Sequence, residues 1–157
     1  MNAVLESLFA VCEEYAASDI HLAVGIAPRF RMKGTLVEKG GYRAFDMATV
    51  DEIAMNLGLL TLPLGCPDGT ERVRRTLLAK GSVDGALTAP SGVRYRFNVF
   101  RDAGHHAVAI RRLDSVFRPF DELGLLPQVQ DFCTLTDGLF LVTGPTGSGK
   151  STSLYSF

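Results

Sequence analysis

The sequence lacks most of the features that tie a chain to a compartment or a partner at a glance. Its 16 Lys and Arg stand against 17 Asp and Glu, a formal charge of −1. No overall basic field exists to hold nucleic acid or an anionic membrane surface, so any phosphate contact must be local. The longest apolar run, Leu57 to Leu64, is too short to cross a bilayer and is broken by Gly58 and Pro63. The opening Met-Asn-Ala-Val-Leu-Glu-Ser has neither the basic start nor the apolar stretch of a signal peptide. Three cysteines (Cys12, Cys66 and Cys133) form an odd set with no close pair, which excludes a disulfide framework and zinc-ligand spacing. Together these absences predict a soluble cytoplasmic protein that makes no use of nucleic acid.

What is present is globular. The 157 residues are 46% apolar and 21% charged, enough for one core, or for one domain and a piece of another. Residues 3–17 read as a helix, with Leu5, Leu8, Phe9 and Cys12 at helical spacing. The segments 20–24, 29–33 and 35–38 alternate like strands, the last two as a hairpin turning at Gly34. Thr49-Val-Asp-Glu52 fits a capping box and predicts a helix carrying Ile53, Met55 and Leu57. A further helix over 70–80 is stopped by Gly81. Three short strands follow, over 83–89, 93–100 and 106–113, separated by Pro90-Ser91-Gly92 and Asp102-Ala103-Gly104. The expectation for 1–113 is an α+β domain with one antiparallel sheet. Residues 114–126 read as a linker, Pro127 opens a short helix to Leu135, and Leu139 to Thr143 reads as a strand buried on both faces of a parallel sheet.

The chemistry is concentrated just after that run. Gly144-Pro145-Thr146-Gly147-Ser148-Gly149-Lys150-Ser151 satisfies the Walker A pattern, with Thr152 continuing the segment. Triphosphate oxygens need several backbone N–H groups converging on them, and glycine lets the chain curl that tightly. Lys150 is the expected partner of the β- and γ-phosphates. The Ser151 hydroxyl is the expected Mg²⁺ ligand, and the helix that follows turns its positive end to the anion. Adjacent His105 and His106 make a poor metal pair, because neighbouring strand residues face opposite ways.

The spelling Gly138-Leu-Phe-Leu-Val-Thr-Gly-Pro-Thr-Gly-Ser-Gly-Lys-Ser-Thr152 closely resembles the secretion-superfamily ATPases of type IV pili and type II secretion, the PilT and GspE kind. Upstream blocks resemble that family in its own order. They are Ala17-Ser18-Asp19-Ile20-His21-Leu22, Pro28-Arg29-Phe30-Arg31 with Gly34, Arg94 to Phe100, Val108 to Leu113, and Leu123-Gly124-Leu125. The resemblance implies a PAS-like N-terminal domain (1–113), a linker (114–126) and the beginning of a RecA-like ATPase domain (127–157). It further implies a homo-hexamer that uses ATP and Mg²⁺ and works on an inner-membrane pilus or secretion platform. Arginines of the N-terminal domain would reach the γ-phosphate, and by position these are Arg96 and Arg111, with Arg94 and Arg112 as the neighbours most easily confused with them. His21 is expected to be structural.

The family's Walker B strand, aspartate box and histidine motif lie well beyond the phosphate loop. The 157 residues are therefore expected to be the front portion of such a motor and inactive alone. The short N-terminus leans toward the retraction type. Two other readings remain beside the motor: a non-catalytic ring-interface module, and an unrelated P-loop NTPase.

Overall fold

The computed structural model describes residues 2–113, 120–145 and 148–154. The chain divides into two compact units, Met1–Asp114 and Ser115–Phe157. The first is α+β, as expected. It contains α1 (Ala3–Glu14), β1 (Asp19–Ala23), β2 (Arg29–Met32), β3 (Thr35–Glu38), α2 (Met47–Leu59), α3 (Gly69–Lys80), β4 (Ser82–Thr88), β5 (Arg94–Asp102) and β6 (His105–Leu113).

Helix α1 starts where the Asn2 side chain accepts a hydrogen bond from the Val4 N–H at 2.7 Å. It buries Leu5, Leu8, Phe9 and Cys12. It ends at Glu14, three residues before the sequence pattern suggests. Ala16 turns left-handed at φ +49°, and the Ala17 N–H then donates back to the Cys12 carbonyl at 2.8 Å. That closure satisfies an orphan carbonyl and tucks Ala17 into the core.

Helix α2 also differs at its start. Asp46, not Thr49, is the cap, its Oδ1 accepting from the Thr49 N–H at 2.9 Å. Beginning at Met47 places Val50, Ile53, Ala54 and Leu57 on one buried stripe. The glycine that ends α3, Gly81, takes φ +80° and donates to the Leu77 carbonyl at 3.0 Å.

The six strands form one antiparallel sheet in the order β3-β2-β1-β6-β5-β4. Period-2 alternation gives it two unlike faces. On one, Ile20, Leu22, Tyr95, Phe97, Val99 and Ile110 share a core with the three helices. Phe9 of α1 stacks on Tyr95 with centroids 4.3 Å apart, and the Tyr95 hydroxyl donates to Glu13 Oε1 at 2.8 Å. Burial and that acceptor both hold the phenol neutral, with its pKa far above the ordinary value. The other face carries Asp19, His21, Arg96, Asn98 and Arg111.

In the second unit, Pro127–Thr134 forms a 3₁₀ helix with Pro127 in its first turn. The strand expected over 139–143 does not form, and these residues take no regular secondary structure. Leu139, Phe140 and Leu141 are 84%, 45% and 71% exposed. A strand of this apolar kind is stable only between hydrogen-bonded neighbours. Among the described residues none runs beside it.

Candidate functional site

Two groups of residues carry the chemistry expected from the sequence, one in each unit. The first is the glycine loop. Gly144 and Gly149 hold φ +153° and +86°, conformations that favour residues without a Cβ. A Cβ on Gly144 would stand 2.7 Å from Ser148 Oγ. The Ser148 N–H donates to the Pro145 carbonyl at 3.2 Å, closing the curl. A short helix, α4 (Lys150–Leu154), follows, with the Ser153 N–H donating to the Gly149 carbonyl at 2.8 Å. The Lys150 ammonium folds back onto this loop, donating to the Gly144 carbonyl at 2.7 Å and the Pro145 carbonyl at 2.6 Å. Neutral carbonyls are weak partners for an ammonium compared with phosphate oxygens, so the residues present fit a phosphate chain. Thr146, Gly147 and the Ser151 side chain lie outside the described residues.

The second group is a cross-strand row on the open face of the sheet. The register pairs Arg31 of β2 with Asp19 of β1, Asp19 with Arg111 of β6, and Arg111 with Arg96 of β5. The structure thus brings the two expected arginines together as direct cross-strand partners. It also separates them from Arg112, which lies opposite Tyr95 on the helix-covered face; Arg94, opposite Leu113 at the strand end, stays on the open face two residues from Arg96.

Asp19 and Arg31 belong to this row, though the sequence pattern alone did not single them out. The Asp19 carboxylate is buried and takes the Arg111 Nε at 2.8 Å on Oδ1. Its Oδ2 accepts from Ser18 Oγ at 2.8 Å and lies 3.4 Å from Arg31 Nε. Burial alone would push this carboxyl up. The hydrogen bonds from Arg111 and Ser18 and the charge of Arg111 outweigh it, and the pKa falls below the usual carboxylate value. A usable signal lay in the period-2 pattern, which puts Asp19 on the face opposite Ile20 and Leu22, between two arginine-bearing strands.

His21 shares this face, and its Nε2 is enclosed without a hydrogen-bond partner among the described residues. Burial lowers its pKa, Asp19 acts against that, and Arg31 and Arg111 add to the lowering. His106, by contrast, is paired, its Nδ1 standing 2.7 Å from Asp51 Oδ1.

A family model described as "Type II/IV secretion system protein" matches residues 68–157. The chain is 26% identical over 150 residues to the "Type IV pilus retractation ATPase PilT" of Pseudomonas aeruginosa, covering 96% of this chain and 40% of that protein. Among solved structures, the pilus retraction motor PilT with bound ADP superposes with a TM-score of 0.69 at 32% identity, over 99% of this chain and 42% of that one. The ATPase DotB of Yersinia pseudotuberculosis shares the fold, with a TM-score of 0.67 at 22% identity over 98% of this chain and 41% of that one. The chain therefore spans about two fifths of the length of these three relatives.

Proposed function

Because the chain belongs to the type II/IV secretion system protein family, we propose that it forms the N-terminal part of a hexameric, ATP-hydrolysing motor. On this reading residues 1–113 are a PAS-like N-terminal domain, 114–126 a linker, and 127–157 the beginning of a RecA-like ATPase domain. The motor is cytoplasmic and acts at the inner-membrane platform of a pilus or secretion machine, with pilus retraction the favoured task. The single observation that carries the reading is the pairing of Arg96 with Arg111 on an open sheet face. Two like charges placed directly opposite destabilise a sheet; Asp19 offsets one of them from within, and the outward ends of both guanidiniums suit a phosphate.

The roles of the residues follow from their chemistry. Main-chain N–H groups of the glycine loop, to which Pro145 contributes none, cradle the β- and γ-phosphates of ATP. Lys150 exchanges the Gly144 and Pro145 carbonyls for phosphate oxygens and adds a compact positive charge there. Ser151 offers its hydroxyl to Mg²⁺, with Thr152 in the same turn; the metal, when bound, neutralises charge developing on the transferred phosphoryl group. Arg96 and Arg111 supply planar, permanently charged donors to the γ-phosphate oxygens. Their contribution is electrostatic and is greatest in the transition state, as the γ-phosphoryl passes to water and ADP departs.

The test uses full-length protein and Lys150→Ala. Binding of a fluorescent ATP analogue and steady-state hydrolysis should both fall to background. Unchanged nucleotide affinity in Lys150→Ala would remove the glycine loop from the site and sink the proposal.

A further inference from the structure

We infer that Asp19 is the positioning residue of this arginine pair: it fixes Arg111 through Nε, so that the terminal guanidinium nitrogens stay open for an anion beside Arg96. The inference rests on the reading of Arg96 and Arg111 as phosphate contacts.

Asp19 is the one buried charged side chain among the described residues. A buried carboxylate costs several kcal/mol of desolvation, and apolar replacements of buried ion pairs are often as stable or more so, so stability alone is a weak reason for it. Its geometry points outward instead. Both oxygens are engaged, Oδ1 by Arg111 and Oδ2 by Ser18 and Arg31, so the carboxylate cannot swivel. Arg31 is in turn tied down, its Nη1 donating to the Gly34 carbonyl at 3.0 Å.

Arg111 is held differently. Its Nε meets Asp19 at 2.8 Å, yet the side chain is 70% exposed and makes no other hydrogen bond among the described residues. A guanidinium gripped by Nε alone keeps two terminal nitrogens in a fixed plane, the geometry that recognises phosphate oxygens in pairs. Arg96 makes no ion pair among the described residues, although Asp84 of β4 lies on the same face, so Asp19 holds only one of the two arginines. Without Asp19, Arg111 and Arg96 repel and the long side chains disperse. With it, Arg111 is pre-aimed and the pair keeps a net positive charge.

The experiment measures ATP turnover in the full-length protein for Asp19→Asn, Arg111→Ala, the double variant, Arg111→Lys and Arg96→Ala. Asp19→Asn should lower kcat about a hundredfold, the scale of a misplaced catalytic contact, while KM for ATP stays within about threefold. The double variant should be no worse than Arg111→Ala, because Asp19 acts through that side chain. Wild-type kcat in Asp19→Asn, or losses that multiply in the double variant, would overturn the inference. Should Asp19→Asn fail to fold, Arg111→Lys decides, since its site is exposed. Lysine keeps the charge but has no Nε–H to grip while a fork points outward, so it should lose as much kcat as alanine. Full turnover in Arg111→Lys would again overturn the inference. Normal turnover in both Arg96→Ala and Arg111→Ala is a different result, which removes the underlying reading together with Asp19's part in it.

Discussion

Arg96 and Arg111 stand opposite each other in the β5–β6 register, and of the two only Arg111 bonds to the buried Asp19 carboxylate. The pair is therefore unequal. One guanidinium is held and the other is not, which separates what each contributes to stability from what it contributes to chemistry.

Arg96→Ala should cost no stability. Removing one of two like charges facing across a ladder relieves about 0.2–1 kcal/mol of repulsion, so the melting temperature of residues 1–114 should stay level or rise slightly. If Arg96 reaches the γ-phosphate as proposed, the same change in the full-length protein should leave ATP affinity nearly intact and lower kcat by about a thousandfold or more. Equilibrium nucleotide binding beside single-turnover hydrolysis checks both halves. A large loss of affinity with kcat unchanged contradicts the assignment.

His21 should make the first unit sensitive to mild acid. Its pKa lies below the ordinary 6.5 because burial disfavours the imidazolium. The unfolded chain then binds the proton more readily than the folded one, so this contribution is full above pH 6.5 and declines as pH falls through that value. Asp19, also depressed, adds a second decline at lower pH, below its ordinary 3.8. Thermal melts of residues 1–114 from neutral pH down to about pH 5 should show a falling midpoint, and His21→Asn should flatten it. An equal slope in the variant rules out His21 as the cause.

Gly85 marks a close approach. A Cβ at this position of β4 would run into the ring of buried Phe97 on β5. Gly85→Ala should therefore destabilise the first unit by about 1–3 kcal/mol, the usual cost of overpacking a filled core. Urea denaturation gives the value. Phe97→Leu in the Gly85→Ala background should recover part of it, since the three nearest atoms all belong to that ring.

Residues 1–157 taken alone should bind ATP poorly and turn it over no faster than background. The loop's flanking residues 139–143 make no ladder, and Lys150 is satisfied by its own carbonyls. Calorimetry with ATP and Mg²⁺ should detect no saturable binding below about 1 mM, an affinity near −4 kcal/mol. Turnover that disappears with Lys150→Ala would refute this.

The sequence showed most of the first unit because its signals are local. Leu5, Leu8, Phe9 and Cys12 declare a helix by spacing, and Tyr95, Phe97 and Val99 declare a strand by alternation. The exact ends were less legible. Ala16 in a left-handed turn carries no glycine to announce it, and Asp46 competes with Thr49 for the same cap. Arg96 and Arg111 were found by resemblance, not by pattern, because an arginine on a strand is ordinarily solvated. Asp19 escaped notice for a physical reason. Its meaning depends on Arg31 and Arg111, and Arg111 is 92 residues away in sequence. The apolar run 139–143 shows the converse: hydrophobicity demands a buried strand, yet only neighbouring strands can supply its hydrogen bonds.

β6 lies at the middle of the sheet, laddered to β1 on one side and β5 on the other, and it is also the last strand before residues that lead toward the phosphate loop. A pull on Leu113 along the chain is therefore taken by both ladders at once, with their hydrogen bonds loaded sideways rather than peeled one by one. An edge strand such as β4 could unzip under the same load. The sheet order thus makes the exit point of the first unit a strand held on both sides, where a pull must break two ladders together.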